Sequence, residues 1–214
     1  PLRHLLACLL LAGCAPTAPL PELPGVDVLL IGEQHDAASH ARLHERWVAE
    51  LARRGLLAAV AVEMAERGAS TAGLPRGASE EQVREALRWS QPSGSDWGRY
   101  GPAIMAAVRA GIPVLGANLP RGDMRRAMND KSLDLLLPGP ALKAQQQAIR
   151  HGHCGLLPEA QVSPMTRVQV ARDVAMAQTI AALVARGRTV VLIAGAGHVQ
   201  PDLGVPLHLP RGLQ

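Results

Sequence analysis

The stretch Val26-Asp27-Val28-Leu29-Leu30-Ile31 runs directly into Gly32-Glu33-Gln34-His35-Asp36, and this junction decides the fold. A short run of Val, Leu and Ile that ends in turn residues is typical of a strand buried on both faces. Three more runs share this form: Leu57 to Val62 before Glu63, Ile112 to Leu115 before Gly116-Ala117-Asn118, and Thr189 to Ala194 before Gly195-Ala196-Gly197-His198. Helical patterns separate the runs, so the sequence predicts an α/β fold with a mainly parallel central sheet flanked by helices.

The polar residues that follow these runs predict a site. Ligands of open parallel sheets bind at the carboxyl ends of the strands. We therefore expect Glu33, His35, Glu63 and His198 to lie along one edge of the sheet. A carboxylate and an imidazole two residues apart can act as base and orienter, or share a metal ion. Taken singly, each residue also fits a structural role, such as a helix cap or an ion pair.

The segments between the strands are predicted to be helical. Ala37 to Arg54 carries an apolar stripe that suits a crossover helix. Ser79 and Gln82 form the pattern of a capping box. Nearly fifty residues separate the second and third runs, so we expect a helical insertion there. Ser163-Pro164 predicts the start of a last long helix that ends near Arg186.

The first residues have the composition of a secretory signal. Arg3 and His4 precede an apolar stretch, and Leu11-Ala12-Gly13-Cys14 resembles the bacterial lipobox, in which the cysteine is lipidated. We expect residues 1–13 to be a signal peptide, residues 14–25 a lipidated cysteine and Pro-rich spacer, and residues 26–214 the folded domain. The alternative is a plain signal peptide in which Cys14 is incidental. The main prediction from these residues is a lipoprotein of the bacterial cell envelope.

Composition narrows the function classes. The net charge is +4 and the arginines are scattered, so the chain lacks the basic patch of a nucleic-acid-binding protein. Cys154 is the one cysteine left once Cys8 is removed and Cys14 is lipidated, which excludes an internal disulfide. There is no Phe, one Tyr and three Trp, so a ligand that needs aromatic contacts has few partners.

Other polar residues are candidates of a weaker kind. Asn118 and Arg121 follow the third run, where an amide and a guanidinium suit a carboxylate, a phosphate or a haem propionate, although a turn and helix start explain them equally well. His40 lies in the first turn of the first helix, beside the Glu33 loop, and could join His35 in a metal site. The segment His151-Gly-His153-Cys154 is predicted to be a loop with metal-binding residue types, but its spacing is not a standard zinc pattern.

Six motifs in order resemble the ChaN family of haem-binding lipoproteins, in the superfamily that also holds erythromycin esterases and Tiki proteases. The resemblance covers essentially the whole predicted domain. The motifs are Leu29 to Asp36, Val62 to Met64, Trp97 to Pro102, Ala117 to Arg121, Gln169 to Ala177, and Gly195 to Val199.

The resemblance implies lipid attachment at the outer membrane and a role in haem or iron uptake. In that family haem can bind as a stacked pair between two subunits, with a tyrosine on the iron, and tyrosinate is a known haem ligand. Tyr100 is the only tyrosine of this chain, so it alone can carry that role, with His35, His40 or His151 as the next candidates. The resemblance also implies a haem-linked homodimer, with an outer-membrane haem receptor as a candidate partner.

Two functions follow from the sequence. The first is a tethered haem-binding protein whose shallow site is shared by two subunits, because few aromatic residues are present to line a deep pocket. The second is a hydrolase that uses Glu33, His35, Glu63 and His198, in some superfamily members with a divalent metal ion. No Gly-x-Ser-x-Gly or His-Glu-x-x-His motif is present, so the common serine and zinc routes are not expected.

Overall fold

The computed structural model describes residues 20–23, 25–34, 37–89 and 96–214. It contains four strands, at Val28–Glu33 (β1), Leu57–Glu66 (β2), Val114–Asn118 (β3) and Thr189–Gly195 (β4). The helices are Ala38–Arg53 (α1), Glu80–Ala86 (α2), Trp97–Arg109 (α3), Met124–Asn129 (α4), Gly139–Gly152 (α5) and Glu159–Leu183 (α6). Short 3₁₀ helices lie at Arg121–Asp123, Lys131–Leu135 and Val205–His208. The predicted α/β class is confirmed, as is the helical insertion between the second and third strands.

All strand pairs in the sheet are parallel, and the strand order is β1-β4-β2-β3. The last strand therefore lies between the first two. In the register, Glu33 on β1 is beside Gly195 on β4, and Val62 on β2 is beside Ile193 on β4. The carboxyl ends of β1, β4 and β2 thus finish side by side, which places the residues that follow them at one edge of the sheet.

Strand β2 continues beyond the predicted run to Glu66, with an irregularity against β3 between Val62 and Glu66. Gly116 on β3 makes this possible. A Cβ atom at Gly116 would lie 2.1 Å from the backbone oxygen of Glu66, so any larger residue would push the two strands apart.

The two faces of the sheet are covered by different helices. Alternate side chains of β4 contribute to the cores on the two faces, because neighbouring residues of a strand point to opposite sides of the sheet. Val191 and Ile193 join the core beneath α1 and α3, whereas Val190 and Leu192 join the core beneath α6. The helical residues buried in these cores are Val48, Leu51 and Ile104 on the first face and Met176 and Ile180 on the second.

Three predicted boundaries around α5 and α6 are wrong. Helix α6 begins at Glu159, after Pro158, and not at Ser163-Pro164. Pro164 lies in its second turn, where the helix loses only the hydrogen bond to the carbonyl of residue 160 and continues. The helix ends at Leu183, before Arg186. The predicted loop at His151 begins later, because His151 and Gly152 form the last turn of α5.

The predicted capping box at the start of α2 is present. The backbone N–H of Gln82 donates to the Ser79 side chain, and the backbone N–H of Ser79 donates to the Gln82 side chain. In the part of the chain that the structure describes, no helix is both long enough and apolar enough to cross a membrane. Residues 1–19 lie outside the described residues, and with them the predicted signal peptide, Cys14 and most of the spacer.

Candidate functional site

A cleft of about 620 Å³ lies at the carboxyl ends of the strands. Its floor is formed by Glu33 from β1, Glu63 from β2 and His198 from the loop after β4, all of them buried. The other residues that line it are Gln34, Gln169, Arg172, Gly195, Ala196 and Gly197. The structure therefore brings three of the four predicted edge residues together. The fourth, His35, lies outside the described residues.

Glu33 is bound from behind by Tyr100. The Tyr100 hydroxyl of α3 donates to Oε1 of Glu33 at 2.8 Å, and Tyr100 is only 4% exposed. Burial raises the pKa of Tyr100 above its usual value, and the hydrogen bond to Glu33 raises it further, because both disfavour the phenolate. The tyrosine thus stands behind the cleft floor as a neutral hydrogen-bond donor and is not among the residues that line the cleft.

Glu63 is held by donors from three directions. The backbone N–H of Gly195 donates to Oε2 at 2.7 Å, Nη2 of Arg172 donates to Oε1, and Nε2 of His198 lies 3.4 Å from Oε1. Burial alone would raise the pKa of Glu63, but the interactions with His198, Arg172 and the Gly195 N–H outweigh it and lower the pKa to about 2. Glu63 is therefore a fixed carboxylate and a very weak base at neutral pH.

His198 lies between two carboxylates. Its Nδ1 is 2.5 Å from Oδ1 of Asp173, a residue of α6 that is 1% exposed. Burial alone would lower the pKa of His198, but hydrogen bonds to Asp173 and Glu63 raise it to about 9. Burial raises the pKa of Asp173, and the protonated imidazole opposes that rise. At neutral pH the imidazole is charged, so it cannot accept a proton from water.

The loop after β4 depends on a close backbone approach. The N–H of Val205 donates to the carbonyl oxygen of His198 at 2.7 Å, which fastens the 3₁₀ helix Val205–His208 over the loop. A Cβ atom at Gly204 would lie 2.1 Å from that same oxygen. Gly204 therefore permits the contact that holds His198 in place.

The residues of α6 are the part of the site that our sequence analysis did not assign a role. Gln169, Arg172 and Asp173 are spaced i, i+3 and i+4, which puts them on one face of the helix. Three polar residues at that spacing in a largely apolar helix are the signal that could have identified them. Besides Glu63, Arg172 binds Oδ1 of Asn118 through Nε at 3.0 Å.

Asn118 and Arg121, the two predicted propionate-binding residues, make different contacts. Oδ1 of Asn118 also accepts the backbone N–H of Leu119 at 2.8 Å, so this oxygen supports the turn after β3. The Arg121 side chain is 54% exposed, and its Nε lies 3.9 Å from Oε1 of Glu66. Neither residue lines the cleft.

Of the two predicted metal-site histidines, His40 does not line the cleft, and His35 lies outside the described residues. His40 accepts the backbone N–H of Gln34 through Nδ1 at 3.2 Å, and its ring centre is 6.1 Å from that of His44. Burial, and then the nearby His40, lower the pKa of His44 to about 4. Among the described residues, no group of three or more His, Cys, Asp or Glu side chains is arranged to hold a metal ion.

The cleft does not fit an enclosed haem. Its nine lining residues are polar, charged or small and include no Phe, Tyr or Trp, whereas a porphyrin plane requires apolar walls. The Tyr100 hydroxyl is buried and bound to Glu33, so it is not presented to an iron atom. The chemistry that the cleft does supply is a set of fixed charges and hydrogen-bonding groups around an open space.

Comparisons with known proteins identify the family. Residues 20–209 match the family described as haem-binding uptake, Tiki superfamily, ChaN. The fold is similar to that of a solved structure described as cofacial haem binding to ChaN of Campylobacter jejuni, with a TM-score of 0.70, 23% identity, and coverage of 86% of this chain and 76% of that chain. The type III effector HopBA1 also matches, with a TM-score of 0.43, 20% identity, and coverage of 80% and 67%. No protein with a curated functional description matches. The chain belongs to the ChaN family of haem-binding uptake proteins, within the Tiki superfamily.

Proposed function

We propose that this protein is a membrane-tethered lipoprotein that binds haem for uptake, at a shallow site shared by two subunits. The observation that carries the proposal is the match of residues 20–209 to a haem-binding uptake family. That match includes every strand and helix that the structure describes, so the whole fold is that of the family.

The shared site is proposed because of what the described cleft contains. A porphyrin has two apolar faces, and a polar cleft on a single subunit would leave at least one of them in water. A second subunit placed across the haem would cover that face. The fold similarity to ChaN of Campylobacter jejuni, a protein described with cofacial haem groups, is in keeping with this arrangement.

Exposed cations near the strand ends are the proposed partners of the haem propionates. Arg121 is suited to this role because its side chain is 54% exposed and its contact with Glu66 is long, at 3.9 Å. A guanidinium in that state can turn towards a carboxylate without breaking a short ion pair. Arg172 is less suited, since Glu63 and Asn118 already hold it.

Coordination of iron by Tyr100 stays a prediction. It requires the phenol to leave Glu33 and to lose a proton that the buried setting retains. Attachment through Cys14 and placement in the outer membrane likewise stay predictions, because residues 1–19 lie outside the described residues.

The hydrolase alternative is less well supported by the chemistry of the cleft. Glu63, with its pKa lowered to about 2, and His198, with its pKa raised to about 9, are both poor acceptors of a proton from water at neutral pH. Their contacts are also saturated by Arg172, Gly195 and Asp173. These groups are better suited to holding the loops of the cleft than to activating a nucleophile.

Hemin titration of the protein tests the proposal. We expect a saturable Soret shift and, in size-exclusion chromatography, a change from monomer to dimer when hemin is added. Arg121→Gln should weaken hemin binding, whereas Arg109→Gln, at an exposed arginine in the last turn of α3, is the matched control. A chain that binds no hemin but cleaves esters or peptides in the presence of a divalent metal would overturn the proposal in favour of the hydrolase.

A further inference from the structure

We propose that the edge of the sheet opposite the cleft binds the surface of an anionic phospholipid membrane, so that the cleft faces away from the lipid. This edge is formed by the amino ends of the strands and by the helix ends that precede them. We call it the basic edge. The inference rests on the proposed membrane tether, because it names the face of the domain that the tether brings to the membrane.

The parallel topology gathers exposed arginines at the basic edge. Helices that connect parallel strands run antiparallel to them, so each helix ends where the next strand begins. Arg53 and Arg54 lie between α1 and β2, Arg109 is in the last turn of α3 before β3, and Arg186 and Arg188 lie between α6 and β4. These five exposed residues are distant from one another in the sequence, but the fold brings them to one edge.

Few carboxylates offset these charges. Glu50 pairs with both arginines after α1, at 2.7 and 2.6 Å. The carboxylate of Asp27, just before β1, accepts the backbone N–H of Gln214. Among the described residues, no carboxylate forms an ion pair with Arg186 or Arg188. Exposed arginines without such partners attract anionic lipid headgroups when they come within about 10 Å of them.

A groove of about 460 Å³ runs along the second half of α1 to the basic edge. Its lining combines an apolar part, Leu20 and Trp47, with a charged part that includes Arg53 and Arg54. Leu56, in the turn between α1 and β2, is 36% exposed. Leucine and tryptophan side chains beside arginines are typical of a surface that enters the headgroup region of a membrane.

The N-terminal segment reaches the domain at the same place. Leu20 lines the groove, and both Leu20 and Leu23 pack against the core beneath α1. Cys14, the predicted site of lipidation, is six residues before Leu20, so at most about 20 Å of extended chain lies between them. A lipid on Cys14 would therefore hold the basic edge close to the membrane surface.

The cleft lies at the opposite edge of the same sheet. Strand β4, Thr189–Gly195, runs from the basic edge to the cleft, and its seven residues span about 23 Å. With the basic edge against the membrane, the cleft opens towards the aqueous side. A second subunit can then approach the cleft without being blocked by the lipid.

Vesicle sedimentation of the full chain with Cys14→Ser tests this surface without a lipid anchor. The vesicles contain phosphatidylcholine alone, or phosphatidylcholine and phosphatidylglycerol in equal parts. We expect tighter binding to the mixed vesicles, and we expect added salt to weaken it, because the attraction is electrostatic. Binding through the apolar residues 5–11 does not depend on lipid charge and is common to all variants. Equal binding to both kinds of vesicle would overturn the inference.

A double substitution locates the surface. Each arginine near an anionic surface contributes about fivefold in affinity, so Arg186→Gln with Arg188→Gln should weaken binding to mixed vesicles roughly twentyfold. Arg125→Gln with Arg126→Gln, in α4 after the carboxyl end of β3, makes the same change of charge and is the matched control. The control should bind within about twofold of the parent chain. An equal loss in both would assign the binding to overall charge and overturn the basic edge.

The outcomes separate this inference from the proposed tether. If the native chain incorporates labelled palmitate at Cys14 but the unlipidated chain shows no preference for anionic vesicles, the tether stands and the basic edge is overturned. If no palmitate is incorporated and mixed-vesicle binding still requires Arg186 and Arg188, the basic edge stands and the tether fails. A duplex oligonucleotide that binds more tightly than the mixed vesicles would overturn the inference in favour of a nucleic acid. Circular dichroism of each variant shows that the fold is intact.

Discussion

The cleft at the strand ends and the turn after α5, His153 to Leu156 (the α5 turn), hold their polar groups in opposite ways. In the cleft, Glu63 and His198 each contact two or more charged or hydrogen-bonding partners and are buried. In the α5 turn, His153 is exposed and uses one ring nitrogen for the backbone while the other is free. A saturated, buried network contributes to a unique structure, whereas an exposed group with one hydrogen bond contributes little to it. A cluster of reactive residue types is therefore not by itself the place where a ligand binds.

The comparison is tested most severely at Asp173. Asp173→Ala removes the hydrogen-bond partner of the buried His198 imidazolium and leaves its charge less compensated, so we expect the free energy of unfolding to fall by about 3–5 kcal/mol. Urea denaturation measures this loss of stability. Asp202→Ala, at an exposed position near the same loop, is the control and should unfold at the native urea concentration. Equal stability of the two variants would show that the cleft network is not structural.

The second test is the dependence of stability on pH. The pKa of His198 is raised from 6.5 to about 9 on folding, so its contribution is fully present below pH 6.5 and is lost as the pH rises through about 9. A shift of this size corresponds to roughly 3 kcal/mol. Urea denaturation at a series of pH values should show this decline in the native chain and a flatter profile in His198→Gln. A decline of the same size in both proteins would assign it to other groups.

The third test addresses the loop that carries His198. Gly204→Ala places a Cβ atom 2.1 Å from the His198 carbonyl oxygen, so the backbone must shift, and we expect a loss of about 1–3 kcal/mol. Gly197→Ala is a matched control in the same segment, because nothing lies within 4 Å of its added Cβ atom. Thermal unfolding of the two variants measures the difference. If they melt together, the close approach at Gly204 does not hold the loop.

The fourth test concerns the tyrosine behind the cleft. Tyr100→Phe removes one buried hydrogen bond to Glu33 and should reduce the free energy of unfolding by about 1–2 kcal/mol. Its effect on hemin affinity is the more informative measurement. Unchanged affinity supports a packing role for Tyr100, whereas abolished binding with an intact circular dichroism spectrum supports the iron-ligand prediction.

The smallest effect on stability is expected in the α5 turn. Leu156→Ser changes a side chain that is 84% exposed, so stability should stay within about 0.5 kcal/mol of the native value. A large loss of stability would mean that this leucine packs against something, and the contrast between the two regions would then disappear.

The sheet and its edge could be predicted from the sequence because both follow from short-range signals. Buried apolar runs mark parallel strands, and the residues after them must meet at one edge, so Glu33, Glu63 and His198 were placed together. The sequence does not pair Arg172 with Glu63 or Asp173 with His198. These partners are 109 and 25 residues apart along the chain, and many other charged residues could have made the same contacts. Their helix face carried the only local signal.

Two further features depend on tertiary contacts that no local pattern encodes. The burial of Tyr100 results from the packing of α3 near β1, and a tyrosine in an amphipathic helix can equally face solvent. The hydrogen bond from Nδ1 of His153 to the carbonyl oxygen of Ile149 depends on the conformation at the end of α5, which the residue type alone does not predict. The start of α6 was misplaced because Ser163-Pro164 is a valid helix start that Pro158 pre-empts.

The position of β4 between β1 and β2 has a consequence for the order of assembly. The strand that joins the first two is the last of the four to be synthesised, so β1 has no neighbour in the sheet until Thr189–Gly195 has been made. Such distant pairing slows folding. A nascent or truncated chain that ends before Thr189 would expose the apolar edge of β1, and the sheet would form only after β4 has been synthesised.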